Sequence, residues 1–158
     1  SESVTMAHTA VFQIVPLSQA QLAQWAALRQ QLWPHHDASA HLQDGIDMLA
    51  NARQSAFLAL DEHGQAVGFA DAALRLDYVN GCESSPVVYL EGIYVQPQQR
   101  RQGVARVLIS HVERWGIEHG CHELASDTAI ENLASQQMHQ QLGFSETERV
   151  VFFKKALG

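Results

Sequence analysis

The run "VVYLEGIYV" at 87–95 is rich in β-branched and aromatic side chains and reads as a strand. An amphipathic stretch follows it, with Val104, Leu108, Ile109, Val112 and Trp115 keeping helical spacing to about His119. The segment "HELASD" at 122–127 then reads as another strand. With a helix between them, the second strand can lie parallel to the first, which a tight hairpin does not allow. The chain is therefore read as an α/β fold, and the other elements have to fit around this unit.

Before it, "FQIVPL" at 12–17 reads as a short strand ending at Pro16. Ser18 followed by Gln21 is a capping-box pattern for a helix to about Leu32, with Leu22, Trp25, Leu28 and Leu32 on one face. Pro34 stops it. A second helix over 40–52 is expected to present Leu42, Ile46 and Leu49 inward. "AFLAL" at 56–60 and "AVGFADAALRLDYV" at 66–79 are partner strands, and "NGCESSP" at 80–86 is turn chemistry. Thr128 with Glu131 makes a capping box for a helix to Leu142, stopped by Gly143. "SETERVVFFKKAL" at 145–157 supplies a last strand. The expected order is β-α-α-β-β-β-α-β-α-β, without internal repeats.

At 158 residues the chain suffices for one domain, burying roughly two-thirds of its unfolded surface. Residues 1–10 read as a flexible tail or expression remnant, leaving 11–158 as the single domain. A hydrophobic content of 46% against 17% charged argues against disorder. No stretch approaches the about 20 apolar residues of a membrane span, and no signal-peptide pattern opens the chain. A net charge of −7 disfavours nucleic acid and makes a cationic partner the natural complement. Cys82 and Cys121 form no CxxC and read as reduced thiols of a cytoplasmic protein. Among nine histidines, "EHGCHE" is the obvious metal candidate. It crosses from helix through Gly120 into strand, which scatters its side chains, so no metal is expected.

Against this acidity, positive charge gathers in one place. Only Arg29, Arg53 and Arg75 precede residue 100; then Arg100, Arg101 and Arg106 surround Gly103 at a helix entrance. The first turn of a helix has amides without internal partners and carries partial positive charge. Arginine forks add phosphoryl donors, and glycine removes a Cβ that would block close approach. On its own the turn is either a phosphate cradle or a solvated helix end.

The motif also has a family likeness. "RRQGVA" at 100–105 resembles the R/Q-x-x-G-x-G/A signature of the GCN5-related N-acetyltransferases (GNAT). Asn132 followed by "LASQQMHQQLGF" resembles the N-x-x-A-x-x-x-Y-x-x-x-G-F ending of that superfamily. "QLWPHHD", "GFADA", "DYVNGC", "SSPVVYLEGIYV", "ASDT" and "LGFSETERVVFFKK", spread over 31–155, look like the aminoglycoside 6′-N-acetyltransferase branch. The resemblance implies a GNAT-type α/β (α+β) fold with a central mixed, strongly twisted sheet flanked by helices. It implies acetyl transfer from acetyl-coenzyme A to the 6′-amino group of an aminoglycoside, with antibiotic resistance as the outcome. It implies that Arg100, Arg101, Gln102, Gly103, Val104, Ala105 and Arg106 hold the coenzyme's pyrophosphate, with Asn132 and His139 also on the coenzyme side. The main chain of Ile93 and Val95 would pair with the pantetheine arm, the Ile93 amide facing the acyl oxygen. Relatives in the branch are commonly dimers, so a homodimer is implied as well; the apolar 150–153 could pair within the sheet or with another subunit.

An alkyl ammonium, with a pKa of about 10.4, must shed a proton before it attacks; a nearby carboxylate attracts the cation and accepts that proton. Glu91 stands mid-strand, where a buried carboxylate is costly without a partner. It is either a catalytic base or a residue of the solvent face. Asp127 ends a strand, where α/β proteins place ligands, and is either a second catalytic carboxylate or a helix cap. By resemblance Trp33, His36, Tyr78, Glu91, Asp127 and Glu148 fall at aminoglycoside-contacting positions, with core or interface packing the alternative for Trp33 and Tyr78. His139 stands where many relatives carry a tyrosine acid, and is a proton donor to the leaving thiolate, a coenzyme contact or a packing residue. No nucleophile–base pair is visible, so direct attack in a ternary complex is expected. The rival readings are an acetyltransferase for polyamines or protein amines, and a non-catalytic acetyl-coenzyme A-binding module.

Overall fold

The structure, a computed structural model, describes residues 11–158; the expected tail at 1–10 lies outside the described residues. Its elements are β1 (Gln13–Pro16), a 3-10 turn (Gln19–Gln21), α1 (Leu22–Leu32), α2 (Ala38–Leu49), β2 (Gln54–Leu60), β3 (Ala66–Arg75) and β4 (Val87–Val95). A second 3-10 turn (Pro97–Gln99), α3 (Val104–Glu118), β5 (Leu124–Ser126) and α4 (Leu133–Gln141) follow. The five strands form one sheet in chain order. β1 to β4 are antiparallel to their neighbours, and β5 runs parallel to β4. The one parallel pair is the one bridged by α3, as its crossover connection requires.

Helices cover both faces of the sheet, so its inner strands read as near-continuous apolar runs. The period-two alternation divides them. Phe57, Ala59, Val67, Ala70 and Ala72 pack with Leu108, Ile109 and Val112 of α3. Leu58 and Phe69 pack with Trp25 and Leu28 of α1 on the opposite side. α3 lies close to β4 because residue 116 is glycine: a Cβ there would stand 2.6 Å from Val88.

α2 is rotated relative to its apolar pattern. Leu42, Ile46 and Leu49, expected inward, are 41%, 52% and 44% exposed. The buried face carries His41 and Gly45 instead. A Cβ on Gly45 would meet Leu22 at 2.5 Å and Trp25 at 2.8 Å, so close approach at the glycine sets which face turns in. Asp37 caps this helix by accepting from Ser39 N at 3.4 Å, which starts it at Ala38 rather than 40.

Other expectations shift for local reasons. Ser18 donates to the Gln21 side chain rather than capping main-chain amides, and the entry to α1 is a 3-10 turn. The expected box of Thr128 and Glu131 does not cap α4; Asn132 does, its side chain accepting from Ser135 N at 3.0 Å. β3 ends at Arg75, short of 79. Residues 142–158 form neither helix nor strand. Val150, Val151, Phe152 and Phe153 are 49%, 77%, 89% and 92% exposed. A strand-like pattern becomes a strand only when a neighbour supplies its hydrogen bonds, and within the described chain none does so here.

One charge is buried in this framework. Asp71 of β3, 1% exposed, accepts from Trp25 Nε1 at 2.8 Å, and Arg29 Nε lies 3.5 Å from its other oxygen. Burial pushes the Asp71 carboxyl up to about 7, against the opposing pull of Arg29 and the Trp25 hydrogen bond. The folded state therefore holds a proton that the unfolded chain, with an Asp pKa of about 3.9, has already released. That contribution is complete below about pH 4 and is lost as pH rises through about 7. In urea titrations, Asp71→Asn is expected to gain on the wild type between about pH 5 and about pH 8. A stability difference that stays constant over that interval would show that Asp71 does not titrate there.

Candidate functional site

The parallel pairing of β4 with β5 covers Val88↔Leu124, Tyr89↔Ala125 and Leu90↔Ser126, and then stops. β4 continues to Val95, still paired with β3 on its other side. Between Glu91 and Val95 the main chain thus has no strand on the β5 side, and apart from the Val95 carbonyl, which accepts from Arg100 Nε, its polar groups there are available to another partner. A bulge interrupts the β3–β4 ladder at the mouth of this opening: Asp71 pairs with Gly92 and Ala72 with Leu90, leaving Glu91 as the extra residue. Bulges re-aim side chains, and Glu91 is exposed where its neighbours Leu90 and Ile93 are buried.

The far end of β4 leads into the basic turn. Arg101 and Gly103 both take left-handed conformations, φ 65° and 80°. A positive φ is uncommon outside glycine, and such strain gathers at ligand-binding turns. No heavy atom lies within 4 Å of a Cβ placed on Gly103, and no side chain caps the start of α3. The turn is therefore open above a bare helix N-terminus, an arrangement suited to an anion. Arg101, Gln102 and Gly103 are exposed, whereas the Val104 side chain is core and offers the site only main chain. Two arginines are partly committed elsewhere. Arg100 Nε donates to Val95 O at 2.9 Å, and Arg106 donates to Gln141 O at 2.9 Å, at the C-terminal end of α4. A cation is favourable at a helix C-terminus, so Arg106 fastens the two helices together.

His139 of α4 reaches the apex of the opening. Its Nδ1 lies 2.7 Å from Ser135 O and its Nε2 2.8 Å from Ser126 Oγ. A carbonyl only accepts, so Nδ1 carries the proton; in the neutral ring Nε2 accepts from the Ser126 hydroxyl. Ser126 is the last β5 residue paired with β4, which puts this hydroxyl–imidazole pair where the strands part. Asn132, three residues before Ser135, has its side chain occupied by the α4 cap.

On the opposite side, two carboxylates are joined through an arginine and a tyrosine. Arg75 NH2 lies 3.1 Å and 3.3 Å from the two Glu91 oxygens. The same guanidinium sits 3.5 Å from the centroid of the Tyr89 ring. Tyr89 donates its hydroxyl proton to Asp127. Burial first, and then the Asp127 carboxylate, hold the Tyr89 hydroxyl well above the ordinary phenol range. Trp33 lies against the bulge: a Cβ on Gly92 would collide with its ring, Cζ2 being 2.8 Å away. Arg29 lies 5.0 Å from the Trp33 ring, tying it to the buried Asp71 cluster. His36 is exposed, its ring 5.7 Å from that of buried His41. Tyr78 is 74% exposed. Glu148 is exposed too, beside Thr147, which would meet a Cβ on Gly81 at 2.5 Å; the terminal segment thus runs against the turn that follows Tyr78. Among the described residues no group of three or more His, Cys, Asp or Glu could hold a metal ion.

A sheet that opens beside its fourth strand, above an uncapped helix start, leaves a slot suited to a long anionic ligand. A family model described as "Acetyltransferase (GNAT) family" matches residues 20–144, and the chain belongs to that family. Within it, the chain is 54% identical over 139 residues to an aminoglycoside N(6′)-acetyltransferase type 1 of Salmonella enteritidis, covering 88% of this chain and 95% of that one. It superposes with TM-score 0.89 on the structure of AAC(6′)-Iy in complex with the bisubstrate analog CoA-S-monomethyl-acetylneamine, at 52% identity, covering 93% and 99% of the two chains. Aminoglycoside 6′-N-acetyltransferase AAC(6′)-Ih from Acinetobacter baumannii superposes with TM-score 0.90 at 46% identity, covering 94% and 100%.

Arg75, Tyr89 and Ser126 escaped the sequence reading. Strand alternation places Tyr89 on the face of Glu91, and Ser126 directly precedes Asp127, so both lay within reach of the residues singled out. Arg75 carried no local signal. The bulge glycine gives a direct test of the Trp33 seat. Gly92→Ala is expected to cost about 1–3 kcal/mol in urea denaturation, as overpacking does, whereas a loss under about 0.5 kcal/mol would mean that Trp33 moves aside freely.

Proposed function

We propose that the chain, a single acetyltransferase domain over 11–158, is an aminoglycoside 6′-N-acetyltransferase. It moves the acetyl group of acetyl-coenzyme A to the 6′-amine by direct attack in a ternary complex, and thereby confers antibiotic resistance. One observation carries the reading: the unpaired main chain of β4 runs between the bare start of α3 and the carboxylates of Glu91 and Asp127. The names of the relatives, at about half identity over nearly the whole chain, point the same way.

The residues fit the coenzyme. The space above Gly103 and the first amides of α3 suit a diphosphate, with Arg100 and Arg101 as flanking cations. Gln102, Val104 and Ala105 contribute through main chain, and Arg106 and Asn132 by fixing α3 and α4. Ile93 and Val95 offer main-chain groups to the pantetheine arm, the Ile93 amide acting as donor to the acyl oxygen. Bound there, acetyl-coenzyme A supplies the acyl group as an activated thioester. Glu91 attracts the acceptor ammonium and takes its proton, directly or through a water; Asp127, held by Tyr89, is the second anionic contact. Trp33 offers a ring face to the sugars, and His36, Tyr78 and Glu148 form the outer rim. His139 holds the Ser126 hydroxyl toward the opening from the coenzyme side.

A homodimer completes the proposal. The exposed apolar 150–153 has a strand's composition and its hydrogen-bonding groups to spare, which a second copy of the chain can satisfy. The two free cysteines suit a cytoplasmic setting.

Thiol release from acetyl-coenzyme A tests the activity. It is expected with kanamycin or tobramycin and absent with 6′-hydroxyl aminoglycosides; release only with spermidine or a peptide would replace the reading. Glu91→Gln is expected to lower kcat/KM by roughly 10²- to 10⁴-fold while calorimetry still shows coenzyme binding. By light scattering, Phe153→Asp is expected to run as a monomer and the wild type as a dimer; a monomeric wild type would remove the dimer from the proposal.

A further inference from the structure

The cation among the acceptor-side carboxylates is unexpected in a site meant for a cation. Arg75 holds both Glu91 oxygens, at 3.1 Å and 3.3 Å, and lies 3.5 Å from the Tyr89 ring centroid. Tyr89 in turn bonds to Asp127, so one guanidinium sits between the two anionic groups. The Arg75 and Glu91 side chains are 44% and 40% exposed, and an ion pair open to water to that degree separates at little cost. Arg75 is the last residue of β3, with the turn of 76–86 beyond it, and stands at an exposed position.

We propose that Arg75 is an internal competitor for Glu91 that separates substrate from product. This rests on the reading of Glu91 as the carboxylate that receives the acceptor amine. Before binding, Arg75 neutralises Glu91. An incoming ammonium makes the same charge-assisted contacts and displaces the guanidinium into solvent. After acetylation the nitrogen is an uncharged amide. It offers Glu91 no charge, so Arg75 returns and the product loses its principal anchor. The substrate therefore binds against Arg75, and the product leaves with its help.

The sign of one substitution separates this role from that of a structural clamp. If Arg75 merely holds Glu91 in position, removing it weakens substrate binding; if it competes, removing it strengthens binding. Calorimetry without acetyl-coenzyme A compares kanamycin with 6′-N-acetylkanamycin on the full chain. Arg75→Met, which keeps an aliphatic cover over Tyr89, is expected to tighten kanamycin binding roughly two- to fivefold. Binding of the acetylated product should stay within about twofold, since it gains nothing from a freed Glu91. In the Glu91→Gln background the same Arg75 substitution should have no effect, and Arg75→Lys, which keeps the charge, should stay close to wild type in both titrations. Weaker or unchanged kanamycin binding in Arg75→Met, equal tightening of substrate and product, or tightening that persists without Glu91 overturns the inference. If Arg75→Met does not fold, the Lys variant and the wild-type preference for substrate over product decide: an equal affinity for both compounds sinks it. A wild-type chain that binds no 6′-amino aminoglycoside overturns the functional reading itself.

Discussion

A strand in mid-sheet normally spends its main-chain polar groups on both neighbours, and β4 is denied one of them beyond Leu90. The crossover through α3 brings β5 back parallel, yet pairing lasts for only three residues before the strands part. An unpaired edge inside a protein demands a partner. Here that edge begins at the Glu91 bulge and ends above the Arg100–Gly103 turn, so one backbone segment connects the basic turn to the carboxylates. A flexible, thioester-bearing arm suits such a slot because recognition by main chain fixes its depth without depending on side-chain identity.

Electrostatics then divides the site. The basic end is a strained turn at an uncapped helix start, with two of its three arginines tied to carbonyls. The opposite end is a chain of alternating partners: Glu91, Arg75, Tyr89, Asp127. Beneath it lies a buried cluster of Asp71, Trp25 and Arg29, which meets the site at Trp33 and at the bulge, where Asp71 pairs with Gly92. Bulge, glycine and tryptophan meet at residue 92, beside Asp71 of β3, so the framework and the site touch there.

Sequence reading reached the elements whose pattern repeats over many residues. β2, β4 and α3 stand close to where periodicity puts them, because burial on two faces or one stripe leaves a long signal. It failed where one contact outweighs a pattern. Gly45 turned α2 so that three leucine-type residues face out, and Asn132 took the capping role expected of Thr128. The terminal run of 150–153 has the composition of a strand but finds no neighbour among the described residues, and composition cannot supply one. At the site, the glycine turn stands at the helix entrance where the lettering put it, and Glu91, left open between base and solvent face, is exposed. Arg75 was not legible, because it matters through Glu91, which is distant in the chain.

The glycine at 116 has a further consequence. It presses α3 onto β4 at Val88, so neither element can exchange side-chain volume without lifting the other. The α3–β4 contact is thereby confined to a narrow range of side-chain volumes at these two positions. The segments around His36, Tyr78 and Glu148 are irregular and exposed, with one comparable contact where Thr147 lies against Gly81. On the proposed function, new acceptor preferences can therefore arise at exposed positions such as His36, Tyr78 and Glu148 while the α3–β4 contact is left untouched.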